Sequence, residues 1–326
     1  MRKILSFAAA GALALVSGAA LAQTKWDLPA GYPAGNFHSQ NLVKFANDIK
    51  DATAGKLQIT VHPGASLFKV PEIKRAVQTG QAQIGELLMV VLDNEDALFG
   101  ADNVPFLATS FEESRKLANA QKPFIDKRLA AQGMRLLYWV PWPPQGFYSP
   151  KALATTDDLK GLKFRSYGSS AGLLGELAGM QVTTIQAAEA AQAFATGRVN
   201  SMISSGSTGF DIKIWEHIKF FYDVQAWLPK NMIIVNERAW RALDANTQKA
   251  VTTAAGVAEA RGWAESARLA TFYFDEFRKN GMTVAAPPPP ALKAGFQKFG
   301  EELTKDWLKR AGADGEALIK AYRTGS

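Results

Sequence analysis

The chain reads as an α/β protein in two lobes, with a long helix late in the sequence leaning on both. Two observations predict this. Apolar periodicity switches repeatedly between a helical repeat and short extended runs from residue 39 to residue 203. From Glu237 to Lys279 an Ala-rich helical pattern then runs with only Gly256 and Gly262 inside it, ending at Asn280-Gly281. Roughly forty helical residues reach about 60 Å, longer than one lobe is wide.

Taken in order, Leu42, Val43, Phe45, Ala46 and Ile49 recur at helical spacing, with Ser39 as N-cap and Gly55 as stop. Leu57 to Val61 is a strand closed by His62-Pro63-Gly64, and Pro71 to Thr79 a short helix with proline in its first turn. Ile84 to Leu92 is apolar and extended. Ser110 caps a helix to about Gln132, and Met134 to Val140 is a buried strand. After a loop from Pro141 to Asp158 the alternation resumes: strands at 162–166, 181–185 and 199–203, helices at 170–178 and 187–196. A further strand covers Met232 to Val235. Strands alternating with helices imply parallel pairing with helices on both faces of each sheet. Past the long helix, Pro287 to Pro290 is a polyproline spacer, and an amphipathic helix runs from Ala291 to about Leu308. The lobes are expected to comprise residues 23–145 plus about 232–272, and 146–231 plus about 273–326.

The first residues predict the compartment. Arg2 and Lys3 precede an uncharged apolar run from Ile4 to Val16, and Ala20-Leu21-Ala22 supplies a small-x-small site. This order is that of a secretory signal peptide, residues 1–22, with cleavage expected after Ala22. The run is too short to span a bilayer, which needs about 20 residues, and no later segment offers a charge-free run of that length, so direct membrane insertion of the mature chain is not expected. The chain has no cysteine and three scattered histidines, which offers no zinc-ligand spacing, and neither a metal nor a cofactor is expected. Net charge is +7, with Lys and Arg spread rather than clustered, so nucleic acid is not an expected partner.

Arg165 stands at the C-terminal end of a strand. Ligands of open α/β sheets bind beyond such ends, and a guanidinium there can hold a carboxylate through two parallel hydrogen bonds. Spacing alone favours an ordinary strand-end arginine at the surface. The segment Asp158-Leu159-Lys160-Gly161-Leu162-Lys163-Phe164-Arg165 resembles the D-L-K-G-L-K-(I/L)-R segment of the solute-binding subunits of tripartite ATP-independent periplasmic (TRAP) transporters. The resemblance covers nearly the whole mature chain. Thr53-Ala54-Gly55-Lys56 is similar to the family's T-G-G-(K/R) turn, with Ala54 for the first glycine. Pro63-Gly64-Ala65-Ser66-Leu67 is similar to its P-G-(G/S)-x-L loop, Ala76-Val77-Gln78-Thr79-Gly80 to A-V-x-x-G, and Gly197-Arg198-Val199-Asn200 to G-x-(V/L)-D.

The resemblance implies a two-lobed periplasmic-binding-protein fold with a central ligand cleft and a long helix spanning both lobes. It also implies a periplasmic location, membrane transporter subunits as partners, no catalysis, and Arg165 as the anchor for a ligand carboxylate. Two departures bear on the ligand. Gln145 occupies a place where some members carry a second arginine, and Ser204 one where an asparagine often meets the ligand. Trp142, Phe147 and Trp227 supply aromatic surface near the expected lobe crossing. Phe37 lies in a loop that family members use to line the cleft, and Ser169 at a helix start favours an anion near Arg165. One arginine and an aromatic wall lead us to expect an aromatic or hydrophobic monocarboxylate, such as a 2-oxo or 2-hydroxy arylacetate. A sugar acid or dicarboxylate is the alternative. The reading from another class is a secreted serine hydrolase: Gly168-Ser169-Ser170-Ala171-Gly172 fits G-x-S-x-G with Ser170 as nucleophile, and Asp211 and His217 follow in the required order but fall too soon, with over a hundred residues left after His217.

Overall fold

The computed structural model describes residues 23–325, so the signal segment and its cleavage site lie outside the described residues. In chain order the first elements are β1 (Thr24–Pro29), α1 (Phe37–Ala52), β2 (Leu57–His62), α2 (Val70–Thr79), β3 (Ile84–Leu88), α3 (Phe111–Ala131) and β4 (Met134–Pro141). Then come β5 (Gly146–Ser149), β6 (Lys163–Ser166), α4 (Ser169–Leu177), β7 (Gln181–Thr184), α5 (Ala187–Ala195), β8 (Ser201–Ser204), α6 (Gly206–Asp211) and β9 (Phe220–Tyr222). The chain finishes with β10 (Lys230–Asn236), α7 (Glu237–Arg241), α8 (Ala245–Lys279), β11 (Thr283–Ala285) and α9 (Pro290–Thr324).

These strands form a two-lobed α/β fold. One lobe holds the parallel pair β1-β2 and the sheet β3-β10-β4; the other holds a six-stranded sheet in the order β11-β9-β5-β8-β6-β7. Parallel pairing was expected throughout and holds for β6 with β7 and β8, and for β9 with β11. It fails at two strands. β10 runs antiparallel to both β3 and β4, and β5 antiparallel to both β8 and β9. β10 and β5 are the strands that follow the two extended chain crossings, so each enters its sheet from the other lobe rather than through a covering helix.

Local chemistry explains most element ends. Ser110 and Glu113 form a reciprocal capping box at the start of α3. Gly80 closes α2 at φ 81°, a left-handed conformation that glycine adopts without a Cβ clash. Elsewhere the expected bounds shift. Asn36, not Ser39, caps α1: its side chain accepts from the His38 N–H at 2.9 Å, while the Ser39 hydroxyl donates to the Tyr32 carbonyl. The apolar run at 84–92 is a strand only to Leu88; Met89–Leu92 turns as a 3-10 helix. The loop expected at 141–158 contains β5. The helix expected from Glu237 breaks at Asp244, whose carboxylate accepts from the Thr247 N–H and starts α8. The last helix runs to Thr324, interrupted at Gly312.

α8 has 35 residues, about 52 Å at 1.5 Å per residue. It packs on α1 and β4 in one lobe and on α6 and β11 in the other. α9 likewise touches α3 and α4. The two crossing segments are bonded together: Trp142 N–H to Pro229 O (2.8 Å), Gln145 N–H to Trp227 O (3.0 Å) and Ala226 N–H to Gln145 O (3.0 Å).

Candidate functional site

Arg165 is third in the short strand β6, flanked by Thr183 of β7 and Met202 of β8. It is 3% exposed. Its Nε donates to the Ile185 carbonyl at 2.9 Å, and its guanidinium lies 5.0 Å from the centre of the Tyr167 ring. Among the described residues no carboxylate forms an ion pair with it, and no hydrogen bond holds its two terminal nitrogens. Burial pushes its pKa down to about 10, against smaller opposing effects of Tyr167 and Tyr32, so it is still a cation at neutral pH. A buried charge costs free energy unless it is paired. This one is fixed in place by a single backbone bond, with the bidentate edge left for a partner.

Arg165 lines a cavity between the lobes. Tyr32, Leu88 and Trp142 line it from one side; Tyr167, Gln186, Ser204, Ser205 and Thr208 from the other. Ser204 ends β8, and Ser205 caps α6 by accepting from the Thr208 N–H at 3.1 Å. The cavity therefore combines one cation, hydroxyl and amide groups, and the three aromatic residues Tyr32, Trp142 and Tyr167. Such a set holds a small acid with a polar ring more readily than a polyanion.

Of the residues singled out from sequence, Arg165, Trp142, Gln145 and Ser204 meet at this cavity, and four do not. Gln145 is already engaged: its Oε1 accepts from the Tyr167 hydroxyl (3.1 Å) and its Nε2 donates to the Pro143 carbonyl (3.0 Å). Trp227 is buried behind Tyr167 and donates to the same hydroxyl at 2.9 Å. Phe147 points to the opposite face of β5, stacked on Phe164 at 6.0 Å and packed on Phe296, because side chains alternate along a strand and Gly146 takes the position opposite Ser204. Phe37 stands behind Trp142, edge-on at 5.5 Å. Ser169 bonds the Asp93 carboxylate in a separate crevice, which shares only Tyr167 and Gln186 with the cavity.

Tyr32, Tyr167, Gln186 and Thr208 escaped the sequence reading. Tyr167 lies two residues beyond Arg165, and Thr208 one turn into the helix that follows Ser204, so both were within reach of the strand-end rule. Tyr32, in a Gly-Tyr-Pro loop from a distant strand, carried no signal. The hydrolase reading finds no support in the geometry. Asp211 accepts from Asn36, and among the described residues no hydrogen bond joins Ser170, Asp211 and His217.

Two α/β lobes closed over a buried cationic cavity define a two-lobed solute-binding protein. The chain matches the DctP family, bacterial extracellular solute-binding protein family 7, over residues 31–310, and belongs to that family. It is 51% identical to DctP6, a Bordetella pertussis extracytoplasmic solute receptor binding pyroglutamic acid, with a TM-score of 0.91 over 92% of this chain and 100% of that one. It is 46% identical to a marine metagenome TRAP solute-binding protein specific for pyroglutamate, with a TM-score of 0.90 over 93% of this chain and 99% of that one. A curated relative, a solute-binding protein of Albidiferax ferrireducens, is 22% identical over 57% of this chain and only 55% of its own length. No helix among the described residues is long and apolar enough to cross a membrane.

Proposed function

We propose that this protein captures pyroglutamate in the periplasm and delivers it to the membrane subunits of a TRAP transporter. The observation that carries the proposal is the Arg165 guanidinium, buried with no protein carboxylate to neutralise it. Pyroglutamate is compact, with one carboxylate for that edge and a ring lactam that both donates and accepts. Ser204, Ser205, Thr208 and Gln186 suit the lactam, and Tyr32 and Trp142 the flat ring. Relatives at 51% and 46% identity that bind pyroglutamate support the same choice. An aromatic acid is less well served, because Phe147 and Trp227 stand outside the cavity wall.

In this reading the carboxylate binds Arg165 and the lobes close over it, a population shift set by how much better the closed form holds the ligand. The lobes divide where the bonded crossings run, near residues 145 and 231. Secretion proceeds through residues 1–22, removed after Ala22.

A thermal-shift screen tests the ligand. An acid at 100 times its Kd adds about 2.7 kcal/mol of stability. Stabilisation by pyroglutamate, with little from mandelate or glucuronate, is expected; stabilisation by mandelate with none from pyroglutamate rules the assignment out.

A further inference from the structure

Behind the wall formed by Tyr32 and Trp142 lies a buried polar chain that the capture of a carboxylate does not by itself explain. Glu86 lies on β3 two residues before Leu88, on the same strand face and one step deeper than the cavity lining. It is 1% exposed. Its Oε1 accepts from Asn231 Nδ2 at 3.0 Å. Asn231 Oδ1 in turn accepts from the Trp142 indole N–H at 2.9 Å and meets the Tyr32 hydroxyl at 3.5 Å. One carboxyl group thus fixes the orientation of one amide, and that amide holds two of the rings facing Arg165.

The surroundings of Glu86 are almost without charge. His38 of α1 faces it at 3.5 Å, Tyr32 approaches from the preceding loop, Tyr138 from β4 and Asn231 from β10. From α2 the apolar Ile73 and Val77 pack at the neighbouring Gly85. Among the described residues no lysine or arginine lies within ion-pair distance of Glu86, and its Oε2, His38 Nε2 and the Tyr138 hydroxyl have no hydrogen-bond partner. Burial holds His38 well below its usual pKa, so it is a neutral neighbour at pH 7. Burial pushes the Glu86 pKa up to about 7, opposed by the Asn231 bond.

We propose that Glu86 is a positioning residue of the carboxylate site, acting through Asn231 on Trp142 and Tyr32, so that the cavity wall follows its ionisation. A charged Glu86 draws Asn231 Nδ2 more strongly than a protonated one does. The amide moves with it, and the indole and phenol bonded to its oxygen follow. A charged Glu86 also sets a second negative charge in the low-dielectric wall that a ligand anion approaches. Protonated Glu86 therefore favours capture, and affinity falls as pH rises through its titration. The effect on affinity rests on Arg165 as the carboxylate anchor; the control of the wall does not.

The experiment follows the Trp142 indole N–H resonance in the unliganded protein, identified by its loss in Trp142→Phe. In the wild type it shifts with a midpoint near pH 7, and in Glu86→Gln, which keeps an acceptor for Asn231, it does not. Asn231→Ala cuts the chain and also abolishes the step, a second variant should Glu86→Gln fail to fold. A flat wild-type signal overturns the proposal. So does a step that survives in Glu86→Gln, because that step belongs to His38. Calorimetry with pyroglutamate adds the binding readout: wild-type affinity falls by up to about tenfold between pH 6 and 8 for each pKa unit by which binding raises Glu86, while Glu86→Gln is flat. An equal fall in both proteins refutes the link to binding. Absence of pyroglutamate binding at every pH refutes the ligand assignment instead, and the indole titration alone then decides the role of Glu86.

Discussion

Arg165 gives its Nε to the Ile185 carbonyl, so the strand-to-helix turn after β7 sets the angle at which the guanidinium faces the cavity. Truncating one partner of a buried charge pair costs roughly 2–5 kcal/mol. Arg165→Ala should therefore weaken pyroglutamate binding by about two to three decades, at 1.4 kcal/mol per decade. The unliganded variant should melt no lower than wild type, because a desolvated cation without a carboxylate is removed. Titration calorimetry showing near wild-type affinity removes Arg165 as the anchor.

Asn36 joins the lobes while capping α1. Its Nδ2 donates to Asp211 Oδ2 at 2.7 Å and to the Ser207 hydroxyl at 3.2 Å, and burial pushes the Asp211 pKa up to about 6. Asn36→Asp keeps an effective cap but places carboxylate against carboxylate. At pH 8 the loss should be about 1–3 kcal/mol. The folded variant takes up a proton at this pair more readily than the unfolded chain does, so the deficit shrinks as pH falls through 6. Urea titrations at pH 8 and pH 5 measure this; the same deficit at both says that Asp211 does not titrate there.

Gly146 lies opposite Ser204 in the antiparallel register of β5 and β8. A Cβ at this position meets the Phe221 ring and lies 2.9 Å from the Tyr222 carbonyl, a backbone atom that cannot turn aside. Gly146→Ala should cost about 1–3 kcal/mol through overpacking. An unchanged urea midpoint would show that β5 and β9 can separate freely.

Lys230 and Asp102 form a buried pair, Nζ to Oδ2 at 3.1 Å, and the same Oδ2 accepts the Lys230 backbone N–H at 2.8 Å. Burial raises the Asp102 pKa and lowers that of Lys230, each opposed by the partner. Lys230→Met should lose about 3–5 kcal/mol by stranding the carboxylate. Adding Asp102→Asn should recover most of this, since the amide oxygen still takes the backbone N–H. Chemical denaturation of the single and double variants decides; a double variant as unstable as the single one points to lost packing.

What was legible in the sequence was local. Ser110 with Glu113, Gly80 after α2, and the apolar runs at 57–61 and 134–140 announce their elements because cap, turn and strand are written in adjacent residues. Arg165 was legible as a strand-end cation, and the resemblance gave it a role. The antiparallel entry of β5 and β10 was not, because it depends on which lobe the chain has just left. The split between Trp142, inside the wall, and Phe147 and Trp227, outside it, turns on strand face and on the bonds that Tyr167 makes. Aromatic content alone does not report either. Asn231, Glu86 and Tyr32 come from three distant segments and meet only after folding.

The crossing segments bind each other through Trp142, Gln145, Ala226 and Trp227, and two of those side chains grip Tyr167 beside the Arg165 guanidinium. The joint and the support of that ring are thus built from the same two segments. A change at Gln145 or Trp227 therefore disturbs at once the joint between the halves and the phenol ring beside the cation.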